Sequence, residues 1–102
     1  MDRRIKSRIL EIMSLAIDIN TREKNTCFVN FQGHVESLYI SVHENGWSQQ
    51  NENIDYFRNN IWLSPNMYLD GYDEMLDHLN EAIEYLTKLK NADAVNIDKI
   101  NK

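Results

Sequence analysis

Cys27 and the three histidines, His34, His43 and His78, are the side chains of this chain best suited to chemistry. A thiol beside an imidazole is a nucleophile pair, and His34 and His43 come near Cys27 if the segment between them folds as a hairpin. Cys27 shares strand parity with Val29 and Phe31, however, which marks it as a small core thiol. The histidines show none of the spacings of a metal site, such as a pair four apart on a helix, and no second cysteine exists for a structural zinc. Asp73 with Asp77, and Glu81 with Glu84, have the spacing of paired carboxylates, but they belong to a solvated helix face with no apolar pocket to shift a pKa. His78 lies beside Asp77 on the same polar face. Gly33, Gly46 and Gly71 stand singly, so no phosphate-cradling loop is present. No catalytic residue, metal or cofactor is therefore assigned, and the expectation is a protein that is not an enzyme.

The elements that must position these residues are written in the apolar periodicity. Ile5, Ile9, Ile12, Met13, Ala16 and Ile17 recur at steps of three and four, predicting an N-terminal helix with these six on its core face. From Thr26 the period changes to two, with Cys27, Val29 and Phe31 on one face and Phe28, Asn30 and Gln32 on the other. Leu38, Ile40 and Val42 alternate in the same way after a reversal at Gly33-His34, so the two runs form an antiparallel hairpin. Asn45-Gly46 marks the next reversal. A third strand runs from Tyr56 to Leu63, with Phe57, Ile61 and Leu63 facing inward and Tyr56, Arg58 and Trp62 outward, and Pro65 ends it.

The last element runs from Gly71 to Lys90. Tyr72, Met75, Leu76, Leu79, Ala82, Ile83, Leu86 and Leu89 fall at helical spacing, with Asp70 as N-cap, Asp73 and Glu74 in the first turn and Lys88 and Lys90 in the last. The fold class is α+β: an N-terminal helix, a three-stranded antiparallel meander and a long C-terminal amphipathic helix, in the order α-β-β-β-α. Residues 1–90 make a single domain, and 91–102 a tail that is frayed or a short helical extension.

Charge narrows the partners. The formal charge is −5, made of +2 over residues 1–24, −9 over 25–87 and +2 over 88–102. An acidic body between weakly basic ends lacks the footprint that nucleic-acid phosphates demand. No apolar run of about 18 residues suggests a membrane span or a leader, and the lone cysteine suits a reducing compartment, so the expected location is the cytoplasm. Tyr39, Trp47, Tyr56 and Trp62 fall on polar faces or in loops, where aromatic residues mark contact surfaces, and Phe28, Tyr39, Tyr56 and Trp62 would build an apolar patch on the sheet face away from the helices. The expected partner contacts are Tyr39, His43, Trp47, Tyr56 and Trp62, with Glu44, Glu52 and Asp55 supplying negative charge. Tyr72, Leu76, Leu79, Ile83 and Leu86 also form a heptad seam, which packs onto the sheet or makes a homodimer. The alternative function is a structural or assembly protein that acts as a homo-oligomer through this helix or the exposed sheet face.

Phe31-Gln32-Gly33-His34-Val35 leading into the second strand, His43-Glu44-Asn45-Gly46-Trp47 after it, and the acidic helix from Asp73 to Lys90 together give a pattern that resembles small proteins encoded by phages and prophages of low-GC Gram-positive bacteria. The resemblance implies binding and inhibition of a host protein, in the manner of anti-CRISPR inhibitors that imitate nucleic-acid charge. It assigns no site residue.

Overall fold

A computed structural model of the chain describes residues 1–33, 36–45, 56–63 and 71–100, with 57–60 and 93–100 described as backbone only. Two helices cover one face of a three-stranded antiparallel sheet: α1 (Arg3–Thr21), β1 (Thr26–Gln32), β2 (Ser37–His43), β3 (Tyr56–Trp62) and α2 (Tyr72–Ile100), with strand order β1-β2-β3. This is the expected α-β-β-β-α order. Helix α2 continues through residues 91–100, past the Lys90 boundary expected from its apolar stripe.

Helix α1 starts where Asp2 caps it. One Asp2 carboxylate oxygen accepts the free N–H groups of Arg4 at 2.8 Å and Ile5 at 3.4 Å. The Arg4 guanidinium also donates to this carboxylate, which holds its pKa below the ordinary value. Beyond the C-cap at Arg22, Glu23 takes a positive φ of 59° and turns the chain back toward β1. Asn25, buried at the start of β1, accepts the N–H of Asn45 at 2.9 Å and so fastens the opening of β1 to the end of β2. Asn45 carries a φ of 69°, as expected for the reversal that follows β2. Gly46, Pro65 and Asp70 lie outside the described residues.

Ile5, Ile12, Leu15, Ala16 and Ile19 of α1 meet Leu38, Ile40 and Val42 of β2, and Met75, Leu76, Leu79, Ala82 and Leu86 of α2, in one core. Here α1 departs from the expectation. Leu15 and Ile19 are buried, whereas Met13 and Ile17, expected on the core face, are exposed at 37% and 60%, together with Leu10 at 60%. The α1 sequence is apolar on two faces, and only the face centred on Ile12 and Ile19 turns inward. The heptad seam of α2 is used inside the domain, where Leu79 and Leu86 are completely buried.

The helices run parallel, as their polar contacts show. Arg4 lies 6.0 Å from the Tyr72 ring, Arg8 donates to Asn80 at 2.9 Å, and Lys90 pairs with Asp18 at 2.8 Å. In the sheet, Cys27 stands opposite Val42, Val29 opposite Ile40 and Phe31 opposite Leu38. Strand β3 carries a bulge. Leu38 is opposite Ile61 and Ile40 opposite Arg58, so three steps along β3 answer two along β2. Side-chain parity reverses across Asn59-Asn60. Tyr56 consequently stands opposite Val42 on the helix side, contrary to the strict alternation expected from the sequence.

Candidate functional site

The face of the sheet turned away from the helices is the candidate site. The ladder places Thr26, Phe28, Asn30 and Gln32 of β1 there, beside Ser37, Tyr39, Ser41 and His43 of β2, with Trp62 of β3 opposite Ser37. None of these nine carries a formal charge when His43 is neutral. Phe28, Val29, Asn30, Tyr39, Ser41 and His43 line an open depression of about 580 Å³. Phe28 is 44% exposed, and its ring meets His43 edge to face at 5.6 Å between centroids. That pair is diagonal across the β1-β2 ladder, because Phe28 is registered with Ser41 and His43 with Thr26. At the far end of the strands, the Ser37 hydroxyl lies 3.1 Å from the Gln32 amide oxygen.

The expected contact residues divide. Tyr39 and His43 share this face, and Trp62 joins it, half-buried and packed against the core. His43 is buried rather than solvated, at 5% exposure. Glu44 follows at the end of β2, half-buried. Tyr56 is on the other side, its ring stacked on Tyr85 of α2 at 4.2 Å and 14° between planes. The bulge accounts for this: it moves Tyr56 out of the predicted patch and makes it a link between β3 and the helices. Trp47, Glu52 and Asp55 lie outside the described residues.

Phe28 belongs to the expected apolar patch but not to the expected contacts, and Asn30 and Ser41 belong to neither. Their signal was present in the period of two, which already set Phe28 and Asn30 opposite the core face. What alternation alone does not give is which side the helices cover.

Cys27 and His43 lie on opposite faces of the sheet, so they form no nucleophile pair. Burial pushes the Cys27 thiol up to about 11, which keeps it protonated and unreactive near neutral pH. Among the described residues, no group of three or more His, Cys, Asp or Glu side chains is arranged to hold a metal ion. Asp73, Glu74, Asp77, Glu81 and Glu84 are all exposed on α2, in the helix layer, away from the uncharged sheet face. No described helix is long and apolar enough to cross a membrane. No family model matches the chain, and no curated protein or solved structure is significantly similar to it.

Proposed function

We propose that this is a small non-enzymatic interaction protein that binds and modulates another protein through the outer sheet face. The observation that carries the reading is the uncharged, aromatic and small-polar face formed by Phe28, Asn30, Tyr39, Ser41 and His43, which neither helix covers. Aromatic side chains supply contact area at little entropic cost and the exposed Asn30 supplies adaptable hydrogen bonds, a combination that protein-binding surfaces use, while the buried Ser41 and His43 form the floor of the face. The half-exposed Phe28 ring is the anchor, held in orientation by the buried His43 beneath it. The phage resemblance supports a cytoplasmic host factor as partner, of a nucleic-acid-handling or defence type. The net charge of −5 would steer a basic partner toward the domain, whereas the contact itself would be short-range and uncharged. Salt should therefore slow association more than it hastens dissociation.

Affinity capture from a bacterial lysate tests the reading when wild-type protein is run beside the double variant Phe28→Ser/Tyr39→Ala. Wild type should retain a protein that the variant loses, while the variant keeps its far-UV circular dichroism. If both retain the same proteins, the sheet face is not the contact.

A further inference from the structure

The second apolar face of α1 adjoins an open sheet edge, and the two features share one geometry. Leu10, Met13 and Ile17 are spaced three and four apart and are exposed at 60%, 37% and 60%. Beside them, Met1, Lys6, Ile9, Leu10 and Phe31 line a groove of about 170 Å³ between α1 and the end of β1. Phe31 is itself 48% exposed.

Strand β1 forms an edge of the sheet. The Asn20 side-chain amide accepts the Cys27 N–H and donates to the Cys27 carbonyl, each at 2.8 Å, so both Cys27 backbone groups point away from β2. By the alternation of an antiparallel strand, Val29 and Phe31 point their N–H and C=O groups the same way. Beyond Cys27, no described residue pairs with them. The outward ladder positions are thus Val29 and Phe31, symmetric about Asn30.

We propose that this edge and the Leu10-Met13-Ile17 stripe bind a second copy of the chain about a two-fold axis at Asn30. Val29 of each copy then pairs with Phe31 of the other, giving four backbone hydrogen bonds and a continuous six-stranded sheet. The helices fit the same axis. Asn20 is level with Cys27, and three strand residues span about 10 Å, or roughly seven helical residues, which places Met13 level with Asn30. Two antiparallel α1 helices crossing at Met13 bring Leu10 of one copy against Ile17 of the other.

Charge agrees with that orientation. Before Met13 the helix carries Arg3, Arg4, Lys6 and Arg8 against Glu11, whereas after it the helix carries Asp18 alone, with Glu23 just beyond offset by Arg22 and Lys24. An antiparallel crossing therefore keeps the two basic halves apart and sets each against a weakly acidic one. The exposed parts of Met1, Leu10, Met13, Ile17 and Phe31 supply on the order of 500 Å² of apolar surface. The β1 backbone and flanking polar groups bring this toward the roughly 800 Å² per partner that a stable dimer buries. The inference does not depend on the proposed binding face, which the second copy does not occupy and which is repeated twice across the joined sheet.

Size-exclusion chromatography with light scattering over a concentration series tests it on the full chain. Wild type should show twice the 12.1 kDa chain mass. Ile17→Lys alters an exposed side chain, leaving the monomer fold intact, and it occurs twice across the axis, so dimer affinity should fall roughly 100-fold. Val29→Pro removes an N–H that β2 does not use and should also give a monomer. Backbone amides of Val29 and Phe31 should exchange more slowly as wild-type concentration rises. Phe28→Ser/Tyr39→Ala should remain dimeric, which separates this inference from the reading of the sheet face. A wild-type monomer at the highest concentration reached would overturn the proposal, as would a dimer that survives Ile17→Lys.

Discussion

Replacing Asn20 by Ala removes the side chain that finishes the β1 edge at Cys27. Two hydrogen bonds disappear, both 2.8 Å long and both to the backbone of buried Cys27. Each is worth about 1 kcal/mol net, and a buried backbone group left without a partner costs a further share of its desolvation. Water reaches part of the edge, because Asn20 is itself exposed. The expected loss is therefore about 2 kcal/mol, near the two-bond value, and in a domain of this size it lowers Tm by roughly 10 °C. Urea unfolding followed by circular dichroism measures it. Asn20→Asp is the sharper variant. It keeps an acceptor for the Cys27 N–H but sets a carboxylate oxygen against the Cys27 carbonyl, so at neutral pH it should cost at least as much as Ala. Thr21→Ala serves as the control. Its hydroxyl bonds the Ile17 carbonyl at 2.7 Å on an exposed helix turn, and its loss should stay within about 0.5 kcal/mol. If Asn20→Ala were as mild as Thr21→Ala, or Asp were tolerated as well as Asn, the reading of Asn20 as an edge cap would be wrong.

Cys27 sets a pH expectation. Its thiol is raised from 9.0 to about 11 by burial, so between those values the unfolded chain loses the proton while the folded chain keeps it. Stability contributed by the protonated thiol is present below pH 9 and declines as pH rises toward 11; this decline should be absent in Cys27→Ala, and native Cys27 should resist iodoacetamide at neutral pH until the domain unfolds. Tyr85→Ala removes the ring stacked on Tyr56, costing about 2–3 kcal/mol from burial and stacking together. Because that stack ties β3 to α2, hydrogen exchange should speed up more in β3 than in β1, and an equal change in both strands would argue against the link.

The elements were legible because their periods are clean. Leu38, Ile40 and Val42 alternate and are all buried, and the eight apolar positions of α2 from Tyr72 to Leu89 are buried or half-buried as their spacing predicts. The inward side of α1 was less legible. Ile5, Ile9, Leu10, Ile12, Met13, Leu15, Ala16, Ile17 and Ile19 are more apolar positions than one stripe accommodates, so steps of three and four trace two faces. Which one meets the sheet depends on how the chain returns through Glu23 to β1, a long-range outcome. The excess itself was the readable signal, since a helix with two apolar faces has one left over for something else to cover.

The site was legible as composition but not in all its members, and the bulge is the reason. Strand parity predicts that Tyr56 shares a face with Trp62, as the six-residue separation requires in a regular strand. An extra residue at Asn59-Asn60 breaks that count, and neither asparagine announces a bulge as a glycine would. The consequence is functional as well as local. With Tyr56 turned inward to Tyr85, the outer face loses one of its expected rings, and the half-exposed aromatic beside its depression is Phe28 of β1. The proposed binding face therefore loses Tyr56 from the third strand and centres on Phe28 of β1 with Tyr39 and His43 of β2. It comes to lie next to the open β1 edge, so a dimer formed along that edge would bring two Phe28 rings onto one continuous face. A partner that engages both would bind more tightly than the single face allows, without any new contact.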